Sequence, residues 1–222
     1  MIDRHAAMLA IGACGVLILI GVLVIRVIGG FDGVPGWWKK IDAVHTDRAV
    51  LVDQGERLEN AITTQLTSLR DPQDSQWATA MDSDQINAWL ETRLVQTIQT
   101  HQGNDAWPDE VRGVRVEILN NQLVIGIRAA HTSGSLILWA YANLELDDQG
   151  DLWMTVSHAH IGTTRVPMGV LNRFSNERFN QSRYHIGRGS LDLGDGRHAQ
   201  LLALRVNGGR IELVMDTRVS VD

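Results

Sequence analysis

The sequence has one cysteine, four prolines and only two lysines among its 222 residues. A single thiol excludes an internal disulfide and a cysteine-based zinc site. Acidic residues outnumber Lys and Arg by 26 to 20, which gives a formal net charge of -6. A nucleic-acid-binding protein needs a basic face to displace counterions from the phosphates, so this balance argues against a nucleic-acid partner. Hydrophobic residues make up 44% of the chain, enough for a folded domain.

Charge is also missing from residues 6–25, which read AAMLAIGACGVLILIGVLVI. A 20-residue helix spans about 30 Å, the thickness of a hydrocarbon core. The alternative, a cleaved signal peptide, has an apolar core of roughly 7–15 residues and a small-x-small cleavage site. We therefore predict a short tail over 1–5 and an uncleaved transmembrane helix over 6–28. Cys14 lies in a sequence that resembles a lipobox, but the strongest apolar stretch follows it, so we interpret it as a buried thiol.

The charges beside this run leave its orientation open. Arg4 precedes it, whereas Arg26 and Lys39-Lys40 follow it, so a bare count slightly favours a cytoplasmic C-terminal side. Signal-anchor proteins nevertheless usually consist of a short tail, one apolar helix and a long domain. Long domains also translocate with little regard to their charge. We predict a single-pass protein of the cell membrane with an extracytoplasmic domain. Trp37-Trp38 beside the two lysines suits either the headgroup layer or a loop with two partly buried rings.

Two amphipathic segments follow the apolar run. Val44, Leu51 and Leu58 recur every seven residues, which predicts a juxtamembrane helix over 41–70 within a linker over 29–72. Its stripe fits either packing on the domain or a coiled coil with an envelope protein partner. Gly55 interrupts a clean heptad and favours packing. A second helix is predicted from Asp82 to Gln99, because Asp82 and Gln85 have capping-box spacing.

From Val111 onward the hydrophobic period changes from about 3.6 to 2. Alternating segments are separated by turn residues at 120–121, 147–150 and 207–209, which predicts antiparallel strands. Pro167 is placed to begin a short helix between the fourth and later strands. Residues 73–222 therefore form a predicted α+β domain with an antiparallel sheet.

Two short motifs carry a resemblance to a known family. Residues 82–90, DSDQINAWL, resemble the S/T-E-x-(I/L)-N-x-x-L helix opening of bacterial anchored proteins, and residues 150–171 resemble their G-x-L, (I/L)-G-x-(L/V)-P and (V/L)-L block. Over about residues 75–175 the chain is similar to the YpmS-like family, and in layout to bacterial members of the tubular lipid-binding superfamily. The resemblance implies an N-terminal transmembrane helix and a curved antiparallel β-sheet packed on a long helix, with lipid held between them.

No chemical motif indicates an enzyme. His158 and His160 share a strand face, as some metal ligands do, but no third ligand stands at a telling spacing. The acidic turn 147–151 lacks the alternating oxygen ligands of a calcium loop, and the glycine-rich stretches lack a phosphate-loop context. The sequence also has no G-x-S-x-G elbow. We predict no catalytic residue, no metal site and no cofactor.

Two functions fit these features. The favoured one is an anchored extracytoplasmic domain that binds membrane lipid or another apolar ligand along the inward row of two long strands, with two histidines at the mouth. The predicted site residues are Leu136, Leu138, Ala140, Leu152, Met154, Val156, His158 and His160. The same row packing directly on the helix, with no cavity, stays open. The alternative function is an interaction or scaffold subunit of an envelope complex, which docks through the 41–70 helix. An apolar cavity favours the first, and a solid core with an exposed apolar helix favours the second.

Overall fold

The computed structural model describes residues 33–44, 47–103, 106–131, 134–167 and 183–219. Its helices are α1 (Gly36–Val44), α2 (Arg48–Thr67), α3 (Ser83–Thr92) and α4 (Leu94–Gln102). Its strands are β1 (Gln76–Asp82), β2 (Val111–Leu119), β3 (Gln122–His131), β4 (Gly134–Leu146), β5 (Asp151–Ile161), β6 (Thr164–Val166), β7 (Arg183–Arg188), β8 (Ser190–Asp192), β9 (Arg197–Asn207) and β10 (Arg210–Val219).

The strands form two antiparallel sheets. The larger sheet has the order β2-β3-β4-β5-β6, with β7 also paired to β5, and the smaller has the order β1-β10-β9-β8. The chain passes from one sheet to the other at Gly189, whose N–H donates to Gly150 and whose carbonyl accepts from Leu201. Short hairpins produce the meander of the larger sheet. Asn120 and Asn121 both have positive φ, as the two central residues of a tight hairpin turn require.

A single hydrophobic core joins the two sheets and the middle helices. Leu94 and Ile98 of α4 lie in it together with Ile127 of β3, Met154 of β5 and Ile211 of β10. Leu94 is only 1% exposed. Alternation along each strand supplies the inward side chains, as the sequence pattern predicts.

Helix α3 covers the outer edge of β2. The Asn87 side chain donates to the Val116 carbonyl and accepts from the Val116 N–H, each at 2.8 Å, and Ser83 Oγ accepts from the Ile118 N–H at 3.2 Å. These bonds satisfy backbone groups that an edge strand would otherwise leave open. The predicted capping box is confirmed: Asp82 accepts from the Gln85 N–H, and the Gln85 side chain accepts from the Asp82 N–H.

Helix α2 packs along α3 inside the chain. A Cβ on Gly55 would lie 2.6 Å from Thr92 Oγ1 and 3.3 Å from the Ala88 carbonyl, so only glycine permits this close crossing. The end of α2 is held by Arg197, which donates to the carbonyls of Thr67 and Ser68. The buried residues of α2 include Leu51 and Leu58, which belong to the apolar stripe seen in the sequence. This arrangement corresponds to the packing alternative.

The predicted fold class is wrong in its architecture. Two sheets replace the single curved sheet, and the predicted 82–99 helix is two helices broken at Arg93, whose φ of -122° leaves the helical region. Neither glycine nor proline marks that break. It lets α3 follow the β2 edge while α4 turns Leu94 into the core, and Arg93 pairs with Glu56 and Glu59 of α2.

The membrane-spanning part of that fold class has no counterpart in the described structure. Among the described residues no helix is both long enough and apolar enough to cross a membrane. The transmembrane prediction over 6–28 and the short helix after Pro167 fall on residues outside the described ranges. The predicted 41–70 helix is also divided, since α1 ends at Val44 and α2 begins at Arg48.

Candidate functional site

The aliphatic part of the predicted ligand site lies in the core. Its six residues are all buried, with Met154 fully inaccessible. Five of them belong to the same core as Leu94 and Ile98 of α4, namely Leu136, Leu138, Ala140, Met154 and Val156. Leu152 is buried as well. The row therefore packs against the helix side of the domain, and its use as a lipid site stays a prediction.

The two histidines do not continue that row. The register between β4 and β5 shifts between the pairs Ala142↔Val156 and Tyr141↔His158, which inserts one residue into β5. Such a bulge reverses the alternation, so Ala159 and Ile161 take the inward positions after Val156. His158 and His160 consequently lie on the outer face of the sheet. The expectation that they cap the inward row is wrong.

On the outer face the histidines join an aromatic group that the sequence did not reveal. The His160 ring stacks on Trp139 with centroids 3.8 Å apart and an interplanar angle of 5°. Tyr141 lies edge-on to Trp139 at 5.5 Å, and Trp37 approaches Trp139 at 6.0 Å. We call this group the outer aromatic cluster; its members are Trp37, Trp38, Trp139, Tyr141, His158 and His160.

Helix α1 brings its two tryptophans to the cluster because β3 has glycine beneath them. A Cβ on Gly126 would lie 2.8 Å from the Trp37 ring and 2.9 Å from the Trp38 ring. Asp42 of α1 accepts from Trp38 Nε1 and pairs with Arg128 of β3. Helix α1 thus covers the β3 part of the outer face, while Trp139 and Tyr141 of β4 lie beyond it, half-buried.

The electrostatics of the cluster follow from partial burial. Desolvation lowers the pKa of His160, and the positive charges of His158 and Arg165 lower this pKa further. Trp139 Nε1 donates to the Gly162 carbonyl at 2.7 Å. In the part of the chain that the structure describes, the buried Trp37 Nε1 and His160 Nδ1 make no hydrogen bond.

The described chain enters the domain beside this cluster. A Cβ on Gly162 would lie 2.7 Å from the Gly33 carbonyl oxygen, and a Cβ on Gly33 would lie 3.1 Å from Thr163. Gly33 is therefore packed on the β5–β6 hairpin, next to the carbonyl that Trp139 binds. Three exposed cations lie near the cluster. Lys39 and Lys40 follow Trp37-Trp38 in α1, and Arg165 of β6 pairs with His160 of β5.

A second surface lies among the helices. A shallow pocket of about 200 Å³ is lined by Val44, Asp47, Val50, Leu51, Gln54 and Asp84. Val44 and Val50 are 62% and 49% exposed, so two apolar side chains reach the surface at the same pocket. The pocket combines apolar side chains with carboxylates, and its volume is below the roughly 300–1,000 Å³ of ordinary ligand sites.

The remaining sequence motifs have structural roles. Asp147 accepts hydrogen bonds from the backbone of Asp151 and Gln149 and from Trp153 Nε1, and these bonds, chiefly that from Asp151, lower the pKa of its carboxyl. It organises the β4–β5 turn, as predicted. Among the described residues no group of three or more His, Cys, Asp or Glu side chains is placed to hold a metal ion.

One signal in the sequence pointed to the outer position of the histidines. The inward apolar positions run 152, 154 and 156 and then 159 and 161, so the period of two slips by one residue at 157–158. That slip is the mark of a bulge. The grouping of Trp37 with Trp139 has no such local signal, because the two residues lie about a hundred positions apart and meet only in the folded chain.

Comparisons with protein-family models, with curated proteins and with solved structures found no match for this chain. The resemblance to the YpmS-like family therefore rests only on the short motifs that suggested it.

Proposed function

We propose that this chain is a cell-membrane protein whose domain, from Gly33 onward, lies outside the cytoplasm and binds lipid at the membrane surface. The membrane location is taken from the uncharged run 6–25, which is outside the described residues. The extracytoplasmic side is taken from the signal-anchor arrangement. No catalytic step is part of the proposal.

The observation that carries the lipid part is the entry of the chain at the outer aromatic cluster. Gly33 is packed on Gly162, so the described chain begins at this place. Indole, phenol and imidazole rings with lysines beside them are the side chains that favour the membrane interface, where an apolar ring and a polar edge are both solvated. The side chains that favour a membrane interface therefore lie at the place where the described chain begins, five residues after the predicted transmembrane helix.

The interior row is the less favoured place for a lipid. Leu94 and Ile98 share the core with Leu138 and Met154, so an acyl chain would have to displace α4 from the strands. Filling such a core costs stability unless the site opens. We retain the row as a testable location rather than as the main site.

A second candidate function is an interaction subunit of an envelope complex. It is favoured by the exposed Val44 and Val50 at the pocket between α1, α2 and α3. A partner would bind there rather than through the stripe of the predicted 41–70 helix, because Leu51 and Leu58 are buried within the chain.

Topology and bound lipid test the proposal together. A reporter that is active only in the cytoplasm, fused after Asp222, should be silent, and phospholipid should remain with the detergent-extracted protein when measured by mass spectrometry. The control is residues 1–32 fused to an unrelated domain, which should retain less lipid. An active reporter would overturn the location. A protein that co-purifies in a fixed ratio, with no lipid above the control, would favour the interaction subunit.

A further inference from the structure

We infer that the outer aromatic cluster, apart from its buried member Trp38, forms with Lys39, Lys40 and Arg165 a docking surface for anionic phospholipid headgroups. This inference rests on the proposed function, because it takes the membrane that holds the chain as the source of the lipid. It goes further by naming the surface and the charge of the headgroup.

The register of the larger sheet places the cluster and a cation in one line across the outer face. Gly126 pairs with Trp139, Trp139 with His160, and His160 with Arg165. Trp37 of α1 packs over Gly126 at one end of this line, and Arg165 is exposed at the other end. The surface thus has aromatic rings in its middle and cations at its margins.

The charge of this surface is opposite to that of the protein as a whole. The chain has a net charge of -6, yet both of its lysines stand in α1 directly after the cluster tryptophans. The acid on the same helix, Asp42, is engaged by Arg128 and Trp38. Glu117 lies opposite Val124, so β3 and β4 separate it from His158. Glu91 of α3 is paired with Arg115, which lies opposite Gly126. The local excess of positive charge selects an anionic partner.

The length of the linking chain favours a lipid over a protein as that partner. From residue 28, where the predicted span ends, to Gly33 there are five Cα steps, which reach at most about 18 Å. Gly33 itself is packed at the edge of the cluster. Gly33, at the edge of the surface, is therefore tethered within about 18 Å of the end of the predicted span, which gives a high effective concentration of headgroups.

The two lysines allow this inference to be tested by chemical labelling of their amines. Full-length protein is placed in nanodiscs of phosphatidylcholine alone or with phosphatidylglycerol, and exposed amines are acylated by a water-soluble ester. Peptide mass spectrometry then measures the acylated fraction of Lys39 and Lys40, and no other lysine contributes because the sequence contains only these two. An Arg210→Lys variant supplies a reference amine on the exposed β9–β10 hairpin, in the smaller sheet rather than on the outer face of the larger one.

We expect acylation of Lys39 and Lys40 to fall several-fold in the anionic discs while the reference amine at position 210 is unchanged. In the anionic discs, Arg165→Gln should lower the ratio of protected to acylated Lys39 and Lys40 about five-fold. This is the effect expected from the loss of one cation at an anionic surface. Arg210→Gln is the matched control, an exposed arginine whose loss should leave the protection intact. Because Arg165 is exposed, its substitution leaves the fold in place.

Equal acylation of Lys39 and Lys40 in both kinds of disc, with the protein incorporated, would overturn this inference and leave the proposed function standing. Protection of equal strength in neutral discs would also overturn it, because the headgroup charge would then be irrelevant. A chain that does not enter nanodiscs at all would overturn the proposed function itself, and this inference with it.

Discussion

At the scale of single residues, the polar side chains that matter most in this protein are those that join backbone segments. Asn87 is fully buried and forms both hydrogen bonds to Val116 at the β2 edge. Its amide replaces the strand partner that β2 lacks on that side. The arrangement is specific, because only an amide presents a donor and an acceptor at the spacing of one backbone residue.

Asn87→Ala should lower the free energy of unfolding by about 2–4 kcal/mol, because it leaves a buried N–H and a buried carbonyl without partners. Denaturant unfolding of the full chain in detergent, followed by tryptophan fluorescence, measures the loss. Asn143→Ala is the control, since Asn143 is half-buried and accepts one long bond of 3.3 Å from Gln122. A loss no larger than that of the control would mean that α3 does not stabilise the edge.

His160 should make stability depend on pH. Burial holds its pKa below the ordinary 6.5, so the unfolded chain takes up this proton first as the pH falls. The unfolding free energy therefore decreases from about pH 6.5 downward, until the folded state also binds the proton. His160→Gln should make the decline between pH 7 and pH 5 shallower, as measured by denaturant midpoints. His101→Gln, on α4, is the comparison; an equal change there would contradict the assignment.

At the scale of elements, the helical layer reaches the core through Leu90 near the end of α3 and through Leu94 and Ile98 of α4. The break at Arg93 turns Leu94 and Ile98 inward, although α3 runs along the outside of β2. A continuous helix from Asp82 would have kept one stripe against the sheet. With two shorter helices, α3 covers the β2 edge and contributes Leu90 to the core, and α4 contributes Leu94 and Ile98.

Leu94→Asp should cost about 4 kcal/mol or more of unfolding free energy, because it buries an unpaired carboxylate where an aliphatic side chain is 1% exposed. Thermal melting of the detergent-solubilised chain tests this expectation. Its neighbour Val95 is 37% exposed, so Val95→Asp should change stability by less than about 1 kcal/mol. A Leu94→Asp variant that melts within a degree or two of wild type would place α4 outside the core.

At the scale of the whole molecule, the two faces of the larger sheet differ in what they offer a ligand. The inner face is aliphatic and closed by α4 and the smaller sheet. The outer face carries the outer aromatic cluster and the exposed Arg165, and the described chain begins beside it at Gly33. Under the proposed membrane location, the outer face is the one that a lipid would reach first.

Ala140→Trp distinguishes the interior site from a packed core. If the inward row packs directly on the helix side, the larger ring overpacks it and lowers the unfolding free energy by about 1–3 kcal/mol or more. We expect this loss, with lipid recovered by mass spectrometry unchanged. Ala130→Trp, on the same strand pair but half-buried, controls for the added indole. Unchanged stability with reduced lipid would instead assign the ligand to the interior row.

The sequence by itself determined the features that depend on a few neighbouring residues. The capping box at Asp82, the turns at Asn120 and Asp147 and the alternation of β4 all follow from local backbone chemistry, and all of them are present. The one-residue shift of the apolar positions after Val156 is also visible in the sequence, but only the pairing of β5 with β4 identifies it as a bulge.

Only the tertiary structure decided which elements share a sheet, where the long helix breaks and which face the histidines occupy. Each of these depends on contacts between residues far apart in the chain, such as Asn87 with Val116 or Trp37 with Trp139. Arg93 interrupts a helix that its own neighbours would continue, because packing α4 into the core and α3 on the edge outweighs one lost turn. The outer aromatic cluster exists for the same reason: glycine at position 126 lets α1 lie flat on β3.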